Sequence, residues 1–447
     1  MDHSILIMDN RNNRNRNNTS RNSTNRNQTN RNRQAAAASR RKKKRQRLII
    51  QIITILVALA LIATFVLGAI SCNGKKKNDP QQETETVTTE NANQEDGKKQ
   101  VTIAAVGDII AHETILNLAE TGDGYDFSSL FALLKNDISS VDLAIANVET
   151  PLGGGPFTGY PNFNTPDEMG LAVIDAGFDV ALQASNHSMD AGTDGIRYAI
   201  RFWKNHADQI LMVGMHDTAE EEYQIPVITV NGISIAILNY TYGLNGYELP
   251  YEEDYLITLM NDGTRDFIRD QVERASSQAD FVIVCPHWGE ENRVGEPNYE
   301  QEDWAMLFTE AGADLILGTH PHVIEDIDWI TADNGNKALC YYSLGNFVSN
   351  QQYTDLVLGG MAYLVIEQDE QGTHIKDDSA KVIPVVTHND KTGNPVVIQT
   401  YYLADYTQDL ADVHDTYLSF DGDFSLSLLQ QKAQNVFGSW LIDRIPR

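Results

Sequence analysis

The sequence predicts a layered α/β domain with mixed parallel and antiparallel strands, which begins near residue 100 of a 447-residue chain. From Val101 onward, short apolar runs typical of strands alternate with amphipathic runs typical of helices. One segment, IPVITVNGISIAILNYT, contains the Asn231-Gly232 pair that favours an antiparallel hairpin. Alternating strands and helices favour parallel pairing with both sheet faces covered, so the whole pattern indicates mixed pairing in packed layers.

The first 47 residues have the composition of a disordered tail. Residues 10–33 are almost only Asn, Arg, Thr and Ser, and so few apolar side chains cannot offset the conformational entropy lost on folding. The tail ends in a basic cluster at residues 40–45. Residues 1–47 contain 14 Lys and Arg against two Asp, a net charge of +12, so we expect the tail to be drawn to the anionic inner leaflet of a membrane.

Residues 48–71 are predicted to form one transmembrane helix. The uncharged apolar run, at about 1.5 Å per residue, is long enough to span a hydrocarbon core of roughly 30 Å. The basic cluster before it predicts a cytoplasmic N-terminus and an extracellular domain anchored in the cell membrane. The alternatives are a cleaved signal peptide and a lipoprotein acylated at Cys72. Residues 72–99 are polar and are expected to form a stalk with little order.

The exterior part is strongly acidic. The whole chain carries a net charge of −28, so the residues after the basic tail carry −40. Such a surface will not bind nucleic acid or another polyanion through its bulk charge. An anionic ligand must therefore be held locally, by metal ions or by a few basic side chains.

The predicted elements of the exterior part follow one another without an internal repeat. Strand patterns occur at VTIAAVGD from Val101, VDLAIANVE from Val141, FDVALQAS from Phe178, the hairpin, Phe281–Pro286, Asp314–Gly318, Lys337–Leu344, Gly360–Glu367 and within 381–404. Helix patterns occur at Thr114–Glu120, Asp167–Ala176, Ile196–Lys204, Asp266–Ala275, Glu302–Gly312 and Phe424–Ile442. We assign residues 100–370 to one domain and residues 371–447 to C-terminal strands and a helix that pack on it or extend it.

Polar side chains suited to metal binding follow the strand patterns. Gly107 permits a tight turn off the first strand, and Asp108 after it offers a carboxylate. His112, one turn later, is a second candidate ligand. Asn147 and Glu149 lie two residues apart and can point the same way, which makes Glu149 a candidate bridging ligand and Asn147 a supporting or substrate-binding residue. The alternative is that these polar residues are scattered loop positions with no common site. Against it, polar candidate ligands follow a strand pattern at five places in the chain.

The motif that begins at Ser185 combines a ligand with a proton donor. Asn186 offers a neutral carbonyl oxygen to a metal, and His187 beside it is placed to protonate a leaving oxygen or to polarise a substrate. Asp190, three residues later, could hold that imidazole in one tautomer.

Later motifs complete the candidate set. His287, His320 and His322 supply imidazole nitrogens, Glu290 is a candidate partner that orients a ligand histidine, and Asn346 could contact substrate or make a turn. Mixed Asp, Asn and His ligation suits Mn, Fe or Zn. Two such divalent ions about 3.5–4 Å apart would activate a bridging water and clamp an oxyanion. Cys285 and Cys340 read as small buried residues, with a disulfide between them left open.

These motifs resemble the CapA-type family of poly-γ-glutamate capsule biosynthesis proteins, within the calcineurin-like metallophosphoesterase superfamily. The matching motifs run from about Val101 to Glu367 and are Gly107-Asp108, Asn147-Val148-Glu149, PNFNTP, AGFDV, Ser185-Asn186-His187, Asp190-Ala191-Gly192, NYTYGLN, His287-Trp288-Gly289-Glu290 with Pro297 and Gln301, AGADLILGTHPHV and YSLGNF. The resemblance implies a four-layer αββα sandwich with its site at the strand ends. It also implies metal positions at Asp108, Glu149, Asn186, His287, His320 and His322, and a catalytic role for His187.

The sequence departs from the superfamily at two positions. Ile110 stands where the superfamily has the histidine of an Asp-x-His motif, so either His112 takes that place or one metal site is weaker. Glu149 stands where the superfamily generally has Asp.

Three functions remain open at this stage. The resemblance favours a metal-dependent hydrolase or transferase acting on an anionic envelope polymer or its precursor. The alternatives are a non-catalytic scaffold among the membrane proteins of a capsule export complex, and a surface phosphoesterase for another substrate.

Overall fold

The computed structural model of the protein describes residues 99–393, 396–416 and 424–446. The predicted tail, the predicted transmembrane helix and nearly all of the predicted stalk lie outside the described residues. No helix within the described ranges is both long enough and apolar enough to cross a membrane.

The strands alternate with helices along most of the domain. The strands are β1 (Lys99–Ile109), β2 (Glu120–Thr121), β3 (Gly124–Tyr125), β4 (Leu143–Val148), β5 (Val180–Leu182), β6 (Leu211–Val213), β7 (Val227–Val230), β8 (Ile233–Thr241), β9 (Phe281–His287), β10 (Leu315–Leu317), β11 (Ile327–Thr331), β12 (Lys337–Tyr341), β13 (Asn346–Val348), β14 (Leu358–Asp369), β15 (Gly372–Ile375), β16 (Lys381–Asp390) and β17 (Val397–Tyr402). The helices are α1 (Glu113–Ala119), α2 (Lys135–Ile138), α3 (Asp167–Asp175), α4 (Gly192–Lys204), α5 (Ala219–Tyr223), α6 (Arg265–Gln278), α7 (Tyr299–Ala311), α8 (Gln408–Val413) and α9 (Leu426–Phe437).

Two mixed sheets organise these elements. The first has the order β17-β16-β14-β1-β4-β5-β6, with β13 also pairing β1 and β15 also pairing β14. The second has the order β11-β12-β10-β9-β8-β7. In each sheet four neighbouring strands are parallel, namely β1, β4, β5 and β6 in the first and β8, β9, β10 and β12 in the second. The predicted mixture of parallel and antiparallel strands is confirmed.

Three apolar clusters separate successive layers. Side chains that alternate along a strand point to opposite sheet faces, so β1 sends Ile103 toward the second sheet and Ala104 toward helices α1, α3 and α4. In the second sheet, Ile283 of β9 faces the first sheet, whereas Val284 faces α6 and α7. Helices, sheet, sheet and helices therefore follow one another, and both sheets are buried on both faces.

The C-terminal region extends the first sheet. Strands β16 and β17 pair beside β14, and residues of α9 join the cluster between the sheets. The helix predicted over Phe424–Ile442 is shorter than expected, because it ends at Phe437 and the next residue, Gly438, has φ 52. Cys285 and Cys340 are both buried and free.

Two buried histidines, His388 of β16 and His414 just after α8, lie side by side. Their ring centroids are 5.4 Å apart. His388 Nδ1 contacts the Tyr406 hydroxyl at 2.8 Å, and His414 Nε2 donates to the Thr387 carbonyl at 3.0 Å. Burial lowers the pKa of each imidazole to about 4. Both rings are therefore neutral in the folded protein at pH 7.

The fold should lose stability as the pH falls from about 6.5 toward 4. Between pH 6.5 and 4, His388 and His414 bind protons in the unfolded chain but stay neutral in the folded protein. Each of the two rings should therefore lower the free energy of unfolding by up to roughly 3 kcal/mol at pH 4. Urea unfolding at several pH values measures this loss. The acid-induced loss should be smaller in His388→Gln and unchanged in the control His374→Gln, which alters a half-exposed ring on β15. Equal acid sensitivity of His388→Gln and the unmodified chain would contradict the prediction.

Candidate metal centre

The carboxyl ends of the central parallel strands carry the candidate ligands. Asp108 lies near the end of β1, where it is in register with Asn147 of β4 and Asn346 of β13. Glu149 follows β4 directly, and His287 is the last residue of β9. Parallel strands end at the same edge of a sheet, so the two sheets bring these side chains together between them.

Two glycines, Gly107 and Gly318, let neighbouring segments of the backbone approach closely near the site. A Cβ on Gly107 would lie 1.8 Å from the Gly345 carbonyl oxygen, and a Cβ on Gly318 would lie 1.9 Å from the Tyr342 carbonyl oxygen. The backbone of β1 therefore touches the loop before β13, and the loop after β10 touches the loop after β12. The first contact joins a strand to a loop and the second joins two loops, so both fix the backbone close to the candidate ligands.

Gly318→Ala should destabilise the fold by about 3 kcal/mol, because the added methyl group would lie 1.9 Å from the Tyr342 carbonyl oxygen and 2.5 Å from Trp288 Nε1. Urea unfolding at neutral pH measures the effect. Gly122→Ala is a matched control, since a Cβ at Gly122 meets nothing within 4 Å. Equal stability of the two alanine variants would show that the loop after β10 can shift.

Asp108 is held by one side chain from strand β4 and one from the loop after β10. Asn147 Nδ2 donates to Asp108 Oδ1 at 2.8 Å, and His322 Nδ1 contacts Asp108 Oδ2 at 2.9 Å. Asp108 is fully buried. Because a carboxylate only accepts hydrogen bonds, the His322 contact puts the proton on Nδ1 and leaves Nε2 free to bind a metal.

Glu149 stands at the centre of the cluster. Its Oε1 lies 3.8 Å from His322 Nε2, 3.9 Å from His187 Nε2 and 4.0 Å from His287 Nε2. The side chain is buried, yet neither carboxylate oxygen has a hydrogen-bond partner among the described residues. A buried carboxylate with no donor is costly unless a cation neutralises it.

His287 and Asn186 present adjacent ligand atoms. His287 Nδ1 contacts the Thr319 hydroxyl at 3.0 Å, and His287 Nε2 lies 2.9 Å from Asn186 Oδ1. Asn186 Nδ2 donates to Asn245 Oδ1 at 3.1 Å, which turns its carbonyl oxygen toward His287. Thr319 and Asn245 therefore orient the two candidate ligands.

The loop after β10 holds His320 and His322 in the left-handed region, with φ 99 and φ 60. Such values are rare for histidine and cost strain that the surrounding packing must offset. The His320 ring lies 4.5 Å from the Tyr242 ring and 4.8 Å from the His287 ring, measured between centroids. Its Nδ1 is buried and has no hydrogen-bond partner among the described residues.

Burial dominates the electrostatics of the cluster. It raises the pKa of Glu149 well above its usual range and lowers the pKa values of His287 and His320 well below theirs. Burial also lowers the pKa of His322, but Glu149 and Asp108 outweigh it and raise that pKa to about 9. The neutral rings of His287 and His320 are in the protonation state that metal ligation needs, whereas His322 and Glu149 would have to release protons when a metal binds.

His187 and Asp190 form a contact at the edge of the cluster. His187 Nδ1 lies 2.7 Å from Asp190 Oδ2, which also accepts from the Phe163 backbone N–H at 2.8 Å. The Phe163 ring packs edge-on against the imidazole with 4.8 Å between centroids. The imidazole is thus fixed with Nε2 toward Glu149, where it can exchange a proton with a bound ligand.

The geometry of the site agrees with a family match. A model of the family described as bacterial capsule synthesis protein, PGA_cap, matches residues 102–351. The chain belongs to this family. The resemblance to capsule biosynthesis proteins predicted from the motifs is confirmed.

Curated relatives support the assignment to the PGA_cap family. The capsule biosynthesis protein CapA of Bacillus anthracis is 29% identical over 308 residues, which are 66% of this chain and 69% of that protein. The PGA biosynthesis protein CapA of Bacillus subtilis (strain 168) is 30% identical over 259 residues, which are 56% of this chain and 63% of that protein. Among solved structures, the calcineurin-like phosphoesterase YfkN from Bacillus subtilis has a TM-score of 0.38 and 14% identity over 76% of this chain and 99% of that chain.

Not every predicted site residue of this PGA_cap chain reaches the cluster. Glu290 is exposed and its carboxylate lies 4.0 Å from Arg293, so the structure places it outside the cluster of candidate ligands. His112 lies at the edge, where its Nδ1 accepts from the Asn350 backbone N–H at 3.2 Å. Asn346 is buried beside Asp108 and donates to Gln351 and to a backbone carbonyl.

Sequence reasoning missed several residues that line the site. They are Thr319, Asn245, Tyr242 and Glu291, and the last lies close enough to His322 to help raise its pKa. Asn245 and Tyr242 belong to the motif NYTYGLN, but nothing in the sequence places that loop beside His187. Glu291 directly follows Glu290, the glutamate that the motif indicates.

The donor set of the PGA_cap domain fits divalent metals. One ligand atom each from Asp108, Glu149 and His287 lie within 4.8 Å of one another. The unpartnered buried atoms in the described structure include both oxygens of Glu149, Nδ1 of His320 and Oδ1 of Asn147. Carboxylate, amide and imidazole donors in one buried cluster are typical of Mn, Fe and Zn sites.

Proposed function

We propose that this capsule-family protein is a metal-dependent hydrolase or transferase. It acts at the outer face of the cell membrane on an anionic polymer of the envelope or on its precursor. The observation that supports the proposal is the position of Glu149 Oε1, within 4.0 Å of a ring nitrogen of His187, His287 and His322. A buried carboxylate that faces several ring nitrogens is one that two neighbouring divalent ions can share.

Two sets of side chains would hold the ions. Asp108, Glu149 and His287, with Asn186 beside His287, belong to one set, and His320 and His322 belong to the other. Bound there, Mn, Fe or Zn ions would polarise a phosphoryl or similar oxyanion and lower the pKa of water.

His187 supplies the proton chemistry in this proposal. Asp190 accepts the Nδ1 proton and keeps Nε2 directed at the cluster, so Nε2 can protonate a leaving oxygen. Phe163 covers one face of the ring and excludes water from it. Asn245 Oδ1 accepts from Asn186 Nδ2 at 3.1 Å, so the Asn245 side chain orients the candidate ligand that lies next to His187 in the chain.

A cavity beside His187 supports a polymeric substrate. It measures about 690 Å³ and lies between the loop that begins at Gly153 and helix α4. Phe163 and Asp190, which hold His187, form part of its wall, and Arg201 lines it as well. The Arg201 guanidinium lies 5.7 Å from the centroid of the Tyr198 ring and forms no ion pair with the described residues. A cation left free in so acidic a chain suits an anionic unit of the polymer.

Arg201→Gln should raise the KM for an acidic oligomer about tenfold, because one charged contact is lost. The effect on a small phosphodiester should be much smaller. Steady-state kinetics on a γ-linked glutamate oligomer and on a generic diester measures both. The matched control is Arg269→Gln on α6, which removes one positive charge from the pair with Glu310. Equal effects of the two variants would indicate bulk charge rather than a local contact.

Metal content and hydrolysis, measured together on the full-length protein, test the proposed function. We expect about two ions per chain by elemental analysis, and turnover of a phosphodiester or a polymer that is lost with chelator and restored with Mn²⁺ or Zn²⁺. A folded protein with no metal would overturn the proposal. Bound metal without turnover of any diester, monoester or polymer would favour the non-catalytic scaffold.

A further inference from the structure

The buried cluster has an exposed mouth formed by three residues. A carboxylate oxygen of Glu291 and one ring nitrogen each of His320 and His322 lie within 4.8 Å of one another. The two histidines are buried, whereas Glu291 is exposed. The backbone turns sharply just before Glu291, because Gly289 has φ 93, and this turn brings the second of two successive glutamates over the histidines.

A second observation at the mouth indicates a missing ligand. His320 is 2% exposed, and its Nδ1 has no hydrogen-bond partner among the described residues. A buried ring nitrogen without a partner costs free energy that a metal–nitrogen bond would recover. The nearby charge of Glu291 acts on the same cluster, since it raises the pKa values of Glu149, Tyr242 and His322.

His112 lies at the edge of the same cluster. Its Nδ1 accepts from the Asn350 backbone N–H at 3.2 Å, and its ring packs against Phe163 with 5.5 Å between centroids. Only Nε2 of that ring is left to bind a further ligand.

We infer that Glu291 is a metal ligand and that it completes an outer site with His320 and His322. The inner site is then formed by Asp108, Glu149 and His287, whose ligand atoms also lie within 4.8 Å of one another. The inference deepens the proposed function and rests on it. The inner ligands are all buried, so the inner ion is held tightly. The outer ion is coordinated partly from solvent, so it is the ion that exchanges.

Glu291→Gln tests the inference without relying on activity. Glutamine keeps the size of the side chain and removes its charge, and the position is exposed, so folding should be preserved. We expect calorimetric titration of chelator-treated protein with Mn²⁺ to show two ions for the natural chain. In the variant, the weaker site should lose at least tenfold in affinity. At low Mn²⁺, the electron paramagnetic resonance spectrum of the natural chain should show a coupled pair of ions, and that of Glu291→Gln should show an isolated ion.

Glu290→Gln is the matched control. It changes the adjacent exposed glutamate, which faces Arg293 instead of the histidines, and should leave both affinities as they are. Two ions bound by Glu291→Gln with unchanged affinities would overturn this inference and leave the proposed function intact. Equal weakening by both variants would also overturn it, because the cause would be surface charge. A natural chain that binds no Mn²⁺ or Zn²⁺ would overturn the inference and the proposed function together.

Discussion

Glu149→Gln should make the metal-free protein more stable and the metal-loaded protein less stable than the natural chain. Without metal, the buried carboxylate has no donor among the described residues, so an uncharged amide removes a burial cost of about 1–2 kcal/mol. With metal, the lost charge should weaken binding by a factor of about 100 or more, equivalent to roughly 3 kcal/mol. Thermal unfolding in the presence of chelator measures the expected gain in stability, and thermal unfolding with Mn²⁺ measures the expected loss.

A second buried carboxylate provides the control for Glu149. Glu325 is fully buried, burial raises its pKa to about 8, and Gln301 donates to it at 2.5 Å. Glu325→Gln should change the stability of the metal-free protein but leave the stabilisation by Mn²⁺ as it is in the natural chain. If Glu149→Gln kept the full stabilisation by Mn²⁺, Glu149 would not be a ligand.

His187→Gln should lower turnover by about 10²–10⁴-fold, the usual contribution of a positioned proton donor. Metal content and the free energy of unfolding should stay close to those of the natural chain, because His187 lies at the edge of the cluster and is not needed to hold an ion. Asp190→Asn should cause a smaller loss, since the imidazole remains but its Nδ1 proton loses a charged acceptor.

His374→Gln on β15 is the control for both changes, because it removes a half-exposed imidazole outside the cluster. Turnover of His187→Gln within about twofold of the natural rate would exclude His187 as the proton donor. Loss of metal in that variant would instead make His187 a ligand.

Most of the secondary structure could be predicted because the apolar pattern is local. The strand predicted from Val101 is β1, and the helix predicted over Asp167–Ala176 is α3 within one residue. The C-terminal helix was predicted too long, since its pattern continues past a glycine whose positive φ ends it. Periodicity identifies which residues are apolar, but it does not report the backbone angle at a single position.

The candidate site could be predicted in part for a similar reason. Motifs after strands indicated Asp108, Glu149 and His287, and the parallel pairing of those strands brings the three together. The motif His287-Trp288-Gly289-Glu290 predicts that Glu290 orients a histidine, whereas the structure places Glu291 near His320 and His322. Sequence spacing does not report the path of the backbone after Gly289, which has φ 93.

By itself, the sequence determined that this chain contains an α/β domain of the capsule synthesis family with metal-binding side chains at its strand ends. Those properties depend on residue type and local spacing. The tertiary structure decided which atoms meet. Thr319 orients His287, Asn245 orients Asn186, and Glu291 reaches His320 and His322. Such contacts join loops that are distant in the chain, and their distances depend on strand register, sheet packing and individual backbone angles that no local pattern records.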